Sequence, residues 1–146
     1  MRITLRGYYA ILALTSMARA EVSDGRLRIE DIARRHPIPE AFLLQIFQVL
    51  KRSGLVQSRR GARGGFHLAR PAEKITLAEI IESVEGKILP CPTEERGDLL
   101  DQPPAWRELN AFWDELRGRV RATAEEYTLA DLADRIYREE GEMYHI

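Results

Sequence analysis

The sequence predicts a mainly α-helical fold with one small β-hairpin, a winged helix-turn-helix followed by a long helix toward the C-terminus. Three observations predict it. Between Ile29 and Arg70, a short helical pattern, a proline-marked turn, a second helical pattern and a glycine- and arginine-rich hairpin follow one another directly. From Trp106 to Tyr127, apolar or small residues recur at alternating spacings of three and four, the seam of a helix that wants a partner helix. Charge is also split along the chain: residues 1–74 hold 14 Lys and Arg against 6 Asp and Glu, a net of +8, and residues 75–146 hold 8 against 17, a net of −9. Such an asymmetry points to a polyanionic partner for the first half and a different task for the second.

A chain of 146 residues sustains one hydrophobic core with appended elements, not two independent cores. With 45% hydrophobic residues a disordered chain is excluded. No apolar run approaches a membrane span and the N-terminus lacks a signal-peptide core, so a cytoplasmic protein without a membrane partner is expected. The single cysteine, Cys91, rules out an internal disulfide framework.

Taken in order, Thr4 is the expected N-cap of a scaffold helix whose inward positions are Tyr8, Ile11, Leu12, Thr15 and Met17. Arg2 and Arg6 lie near its start, where unpaired N–H groups and two guanidinium groups suit a phosphate. Residues 21–28 read as a loop. Ile29, Ile32 and Ala33 then mark a short helix with Glu30 and Asp31 in its first turn, favourable at the positive helix end. His36-Pro37 stops it; His36 reads as a polar turn residue rather than a metal ligand.

Pro39 opens the next helix, at a position that needs no N–H. Phe42, Leu43, Ile46, Phe47, Val49 and Leu50 form its apolar face, leaving Glu40, Ala41, Leu44, Gln45, Gln48, Lys51 and Arg52 outside. Amides can read base edges in the DNA major groove while cations meet phosphates. After Gly54, strand character at residues 55–60 and 66–69 brackets Gly61-Ala62-Arg63-Gly64-Gly65. The glycines make the turn, and Arg59, Arg60 and Arg63 suit a narrow, electronegative minor groove.

Thr76 and Glu79 form a capping box, with Ile75 and Ile80 as a hydrophobic staple, so a helix starts at Leu77 and ends near Gly86. The proline-rich, acidic stretch to Pro104 is a loop. Trp106, Leu109, Trp113, Leu116 and Val120 head the dimerisation seam, with some cover expected from the scaffold helix. Thr128 and Asp131 open a final short helix through about Arg138, followed by a frayed tail. The expected division is residues 1–86 for DNA binding, 87–104 as an effector segment, and 105–146 for dimerisation and the short helix. Catalysis finds no support, because nothing in the sequence brings Cys91 to His67 or His145.

The motifs Met1-Arg2-x-Thr4-x-x-Gly7-x-Tyr9-Ala10, Leu43 through Gly54-Leu55-Val56, and Ser58-x-Arg60-Gly61 through Gly64-Gly65-Phe66 occur in this order. Together they resemble the Rrf2 family of transcriptional regulators over nearly the whole chain. The resemblance implies a homodimer on double-stranded DNA, joined by the long helix. It implies Gln45 on major-groove bases, Arg60 in the minor groove, and Arg2, Thr4 and Tyr9 near the phosphate backbone.

Two departures qualify it. Ala41 and Leu44 stand where members often carry a hydroxyl and a carboxylate, so thymine-methyl contact replaces hydrogen bonding there. Cluster-binding members carry three cysteines before the dimer helix, and here Cys91 stands alone, near the first of those positions. The expected response is to redox, metal or iron-sulfur status through Cys91, and an iron-sulfur cluster, or another metal site on Cys91, would need mixed ligands from His, Asp or Glu. The acidic Glu94, Glu95, Asp98 and Asp101 disfavour a thiolate and become useful only around a bound cation. The alternatives are a cluster-free regulator or a protein-interaction module controlled by a partner protein or small metabolite.

Overall fold

The computed structural model describes residues 3–21, 27–61, 64–93 and 103–143. The described elements are α1 (Leu5–Glu21), α2 (Ile29–Arg35), α3 (Glu40–Arg52), β1 (Val56–Arg59), β2 (Gly65–Leu68), α4 (Leu77–Glu85), α5 (Pro104–Glu125) and α6 (Leu129–Met143), with a 3-10 turn at Ala72–Lys74. This is the expected mainly helical, winged class. Among the described residues no helix is long and apolar enough to cross a membrane.

The spine is α1, which packs against α3, α4, α6 and β2. Its buried positions are Ala10, Ala13, Leu14, Thr15, Ser16, Met17 and Ala18, which corrects the expected inward set. Thr15 and Met17 are inside, Ile11 and Leu12 only half-buried, and Tyr8 is 57% exposed. Large residues at helical spacing are a poor guide here because three alanines let neighbours approach from several sides, and a helix surrounded by partners has no single apolar stripe. Its buried hydroxyls are satisfied: Thr15 Oγ1 and Ser16 Oγ donate to Leu12 O at 2.9 and 3.0 Å. Ser16 Oγ also lies 2.8 Å from His36 Nε2 and 2.9 Å from Tyr137 Oη, tying α1 to the end of α2 and to α6. His36 is thus the polar turn residue its position suggests.

The chain leaves α2 through His36-Pro37, buries Ile38, and enters α3 at Pro39, whose carbonyl accepts from Phe42 N at 3.0 Å. Leu43, Ile46, Phe47 and Leu50 face the core. Phe47, fully buried, packs against Phe66 of the hairpin with ring centroids 4.6 Å apart and planes inclined by 48°, so truncating it to alanine costs ~3–5 kcal/mol. The register runs from Val56 opposite Leu68 to Arg59 opposite Gly65. Leu27 adds a bridge to Phe66. Gly64 N donates to Gly61 O at 2.7 Å, and a Cβ on Gly64 would sit 2.7 Å from that same oxygen; the turn at the wing tip needs glycine there.

Both expected capping boxes form. Glu79 N donates to Thr76 Oγ1 at 3.2 Å while Thr76 N donates to Glu79 Oε2 at 2.9 Å; Asp131 N and Thr128 N repeat the exchange at 3.1 and 2.9 Å. The two starts pair with each other, Leu77 N with Tyr127 O and Leu129 N with Ile75 O, each at 2.8 Å. That bridge returns α6 to the body, where Leu129 and Ala133 are buried with α1. Helix α6 runs to Met143, beyond the short helix ending near Arg138, since glutamates favour helix and no proline intervenes. Within the chain α5 packs on α4 through Ala124 and Val120 against Ala78 and Ile81, so its main cover comes from α4, where some had been expected from the scaffold helix.

Candidate nucleic-acid interface and effector segment

The outer residues of α3, Glu40, Ala41, Leu44, Gln45, Gln48, Lys51 and Arg52, are all exposed, and so are Arg59 and Arg60 on the hairpin. Burial of Leu43, Ile46, Phe47 and Leu50 fixes the helix rotation, and with it the direction in which Gln45 and Leu44 project. The Gln45 amide meets no partner among the described residues. Lys51 Nζ donates to Ser58 Oγ at 2.9 Å, which ties the last turn of α3 to β1 and keeps helix and wing in fixed relation. His67 and Gln57 pair across the hairpin at 3.2 Å. Glu40, Ala41, Leu44, Gln45, Lys51, Arg52, Arg59 and Arg60 are thus all exposed, with α3 joined to β1 at Lys51 and Ser58, while Arg63 lies outside the described residues.

The N-terminus of α1 differs from expectation. Thr4 caps the helix, accepting from Gly7 N at 3.4 Å, but the position meant for a phosphate is taken by a carboxylate of the chain itself. Glu85 Oε1 accepts from Thr4 N at 2.9 Å, Thr4 Oγ1 at 2.6 Å and Gly7 N at 3.1 Å. An anion does sit where free N–H groups and the helix dipole favour one, and it is internal. Gly7 is required for this: a Cβ there would fall 2.2 Å from Glu85 Oε1. Arg2 lies outside the described residues. Tyr9 packs edge-on against Phe42 of α3 at 5.9 Å and 81°, half-buried beside the first turn.

Helix α4 carries two further carboxylate contacts. Glu79 meets Arg70 at 2.8 Å. Burial pushes the Glu79 carboxyl up, but the Thr76 N–H and the Arg70 guanidinium outweigh it and leave it below its ordinary range. Glu82 receives Arg121 Nε of α5 at 2.9 Å and its second nitrogen at 3.3 Å, and Arg121 also pairs with Glu125. Just beyond α4, Leu89 holds a positive φ of 50°, and its carbonyl accepts from Arg117 Nε of α5 at 3.0 Å.

Cys91 is half-buried at the rim of a cavity of about 300 Å³ lined with Pro92, Thr93, Trp106, Leu109, Asn110 and Trp113. Asn110 is buried, and its Oδ1 accepts from Thr93 Oγ1 at 2.7 Å and Cys91 Sγ at 3.3 Å. Asn110 and Glu85 were not among the residues singled out from the sequence. Among the described residues no group of three or more His, Cys, Asp or Glu could hold a metal ion. The four carboxylates expected to assist Cys91 lie outside the described residues. Among the described residues Cys91 is the one thiol, and its hydrogen bonds go to an amide and a hydroxyl; a cluster asks for four ligands.

Of the expected dimer seam, Trp106 and Leu109 are exposed, while Trp113, Leu116 and Val120 are half-buried against their own chain. Phe112, not expected on the seam, is exposed beside Leu109.

Residues 3–135 match the family model Rrf2, described as an iron-dependent transcriptional regulator. The chain is 34% identical over 133 residues to the HTH-type transcriptional regulator CymR of Bacillus subtilis, covering 91% of this chain and 90% of that one. It is 42% identical over 86 residues to the regulator IscR of Cereibacter sphaeroides, covering 58% and 56%. The structure of CymR, the global cysteine regulator of B. subtilis, superposes with a TM-score of 0.73 at 32% identity over 92% of this chain and 98% of that one. IscR of T. potens gives 0.69 at 25% identity over 100% and 92%. With recognition helix, wing and long α5 all in place, the chain belongs to the Rrf2 family and is a DNA-binding transcriptional regulator.

Proposed function

We propose that this regulator acts in the cytoplasm as a homodimer on a two-fold operator, inserting one α3 per protomer into successive major grooves and one wing into the flanking minor groove. The observation that carries the reading is the exposure of Gln45, Lys51 and Arg52 on α3 and of Arg59 and Arg60 on the hairpin, with Lys51 bonded to Ser58 of β1. In it Gln45 reads a base edge, Leu44 and Ala41 touch thymine methyls, Arg60 enters the minor groove, and Lys51, Arg52 and Arg59 meet phosphates. Dimerisation through α5 is supported by its 22 residues, ~33 Å at 1.5 Å per residue, and by apolar side chains that its own chain leaves uncovered. A two-fold axis then sets half-sites about one helical turn, ~34 Å, apart.

We read the effector segment as cluster-free, a response entering at the Cys91 loop without four metal ligands. Its support is the one thiol per protomer and that thiol's hydrogen bonds to Asn110 and Thr93.

The test is selection of a duplex from a random library, followed by binding across a salt series. Affinity should fall steeply with salt as counterions are released. Gln45→Ala should lower discrimination at one base step by roughly 1–3 kcal/mol, and Arg60→Ala should weaken binding most where A·T flanks narrow the groove. Failure to select any duplex, or a flat salt response, sinks the reading.

A further inference from the structure

Glu85 occupies an unusual place. It ends α4, and a carboxylate at a helix C-terminus faces the negative end of the dipole. Its oxygen is held by three donors from the first turn of α1, and Gly7 keeps that space open. The other side of α4 is fastened to α5: one turn earlier Glu82 is gripped by Arg121, and just past Gly86 the Leu89 carbonyl is held by Arg117. Within α1, Tyr9 rests edge-on against Phe42, a residue on the inner side of the recognition helix.

These contacts form one continuous chain from α5 and the segment before Cys91, through the end of α4, to the start of α1 and the back of α3. We propose that Glu85 is a positioning residue for DNA binding, the link through which the setting of α5 and residues 87–93 fixes the first turn of α1 and, through Tyr9, the seating of α3. The inference rests on the DNA-binding reading above and adds a route by which events at the effector segment reach the DNA face. Its physical basis is that the carboxylate can hold α1 only while α4 stays where Arg121 holds it. Loss of either grip releases the same joint.

The test is a double-mutant cycle on operator affinity, with Glu85→Ala, Arg121→Ala and the double variant each measured on folded dimer, folding being checked by circular dichroism. Each single variant should lose operator affinity by on the order of tenfold, and the double variant should lose little more than either one, because both break one link. Glu85→Gln keeps a neutral acceptor for Thr4 and Gly7, and should recover most of the loss. Should Glu85→Ala not fold, Gly7→Ala, which displaces the carboxylate sterically, takes its place in the cycle. Fully additive losses, or wild-type affinity in folded Glu85→Ala or Gly7→Ala, overturn the proposal. Tighter binding with a steeper salt dependence overturns it too, since it would mean that a phosphate enters the vacated site. Failure of the wild-type protein to bind any duplex would instead strike the DNA-binding reading.

Discussion

Replacing Leu109 by alanine separates assembly from folding, because this side chain does little within its own protomer. Leu109 is 63% exposed, beside Phe112 at 58% and Trp106 at 42%. Full burial of a leucine is worth ~1.5–3 kcal/mol. If a partner helix covers what the protomer leaves exposed, each Leu109 contributes about 63% of that, and the symmetric pair ~2–4 kcal/mol. Leu109→Ala should then weaken the dimer by about 25- to 700-fold, since each 1.4 kcal/mol is a factor of ten. Sedimentation over a concentration series measures the shift. Thermal unfolding of the variant monomer should stay close to that of dissociated wild type, because most of the side chain is exposed in the protomer and only its contacts at the rim of the Cys91 cavity are lost. Leu116 is a poorer probe: it is already half-buried, so its truncation mixes protomer stability with assembly. Wild type sedimenting as a monomer at micromolar concentration, or a Leu109→Ala dimer of wild-type strength, refutes dimerisation through this face.

Acid should loosen the capping boxes. Burial raises the Glu79 carboxyl, but the Thr76 and Arg70 contacts bring it below its ordinary 4.5, and the Thr128 N–H and hydroxyl hold Asp131 below 3.8; their stabilisation is complete above those unfolded-state values and is lost as pH falls through the lower folded ones. Glu79→Gln with Asp131→Asn should therefore flatten the decline of Tm below about pH 4.5, and an unchanged decline would remove the capping carboxylates from the explanation. Cys91→Ser keeps a donor for Asn110 Oδ1 and should leave Tm unchanged. After anaerobic incubation with iron and sulfide, both proteins should carry the same low iron, and stoichiometric iron retained by wild type alone would establish Cys91 as a ligand.

What the sequence revealed and what it concealed divide by range. The two capping boxes, the rotation of α3 and the hairpin were legible because each is specified within a few residues: Thr76 and Glu79 are three apart, and the inner face of α3 repeats at helical spacing. The inward side of α1 was misread because its packing depends on Ala10, Ala13 and Ala18, which carry no strong hydrophobic signal yet let neighbours come close. The end of α6 was set too early because its continuation depends on helix-forming glutamates, not on an apolar pattern. Glu85 escaped notice because its donors lie 78 and 81 residues away. A signal for it was present in an acidic side chain at a helix C-terminus, where the dipole disfavours it and a compensating partner is implied. Asn110 was likewise marked, an amide between Trp106 and Trp113 on one side of α5, where an apolar stripe alone had been read.

The charge asymmetry now has a local explanation that does not oppose DNA binding. Several carboxylates of the acidic half are engaged inside the molecule: Glu79 with Thr76 and Arg70, Glu82 with Arg121, Glu85 with Thr4 and Gly7, Asp131 with Thr128. On α5, Asp114 and Glu115 pair with Arg117 and Arg119. They join and cap helices; the pairs within residues 75–146 are already counted in its net of −9, so these contacts show where the negative charge is held and do not reduce it, apart from the Glu79 pair with Arg70. Repulsion of DNA phosphates by the remainder is limited by screening, since at physiological salt a charge beyond ~8 Å is largely masked. The field at the groove is thus set by residues on the contact surface itself. If the proposed surface is the one that meets DNA, Lys51, Arg52, Arg59 and Arg60 outnumber Glu40 on it, and the near-neutral total charge of the chain does not describe the charge presented there.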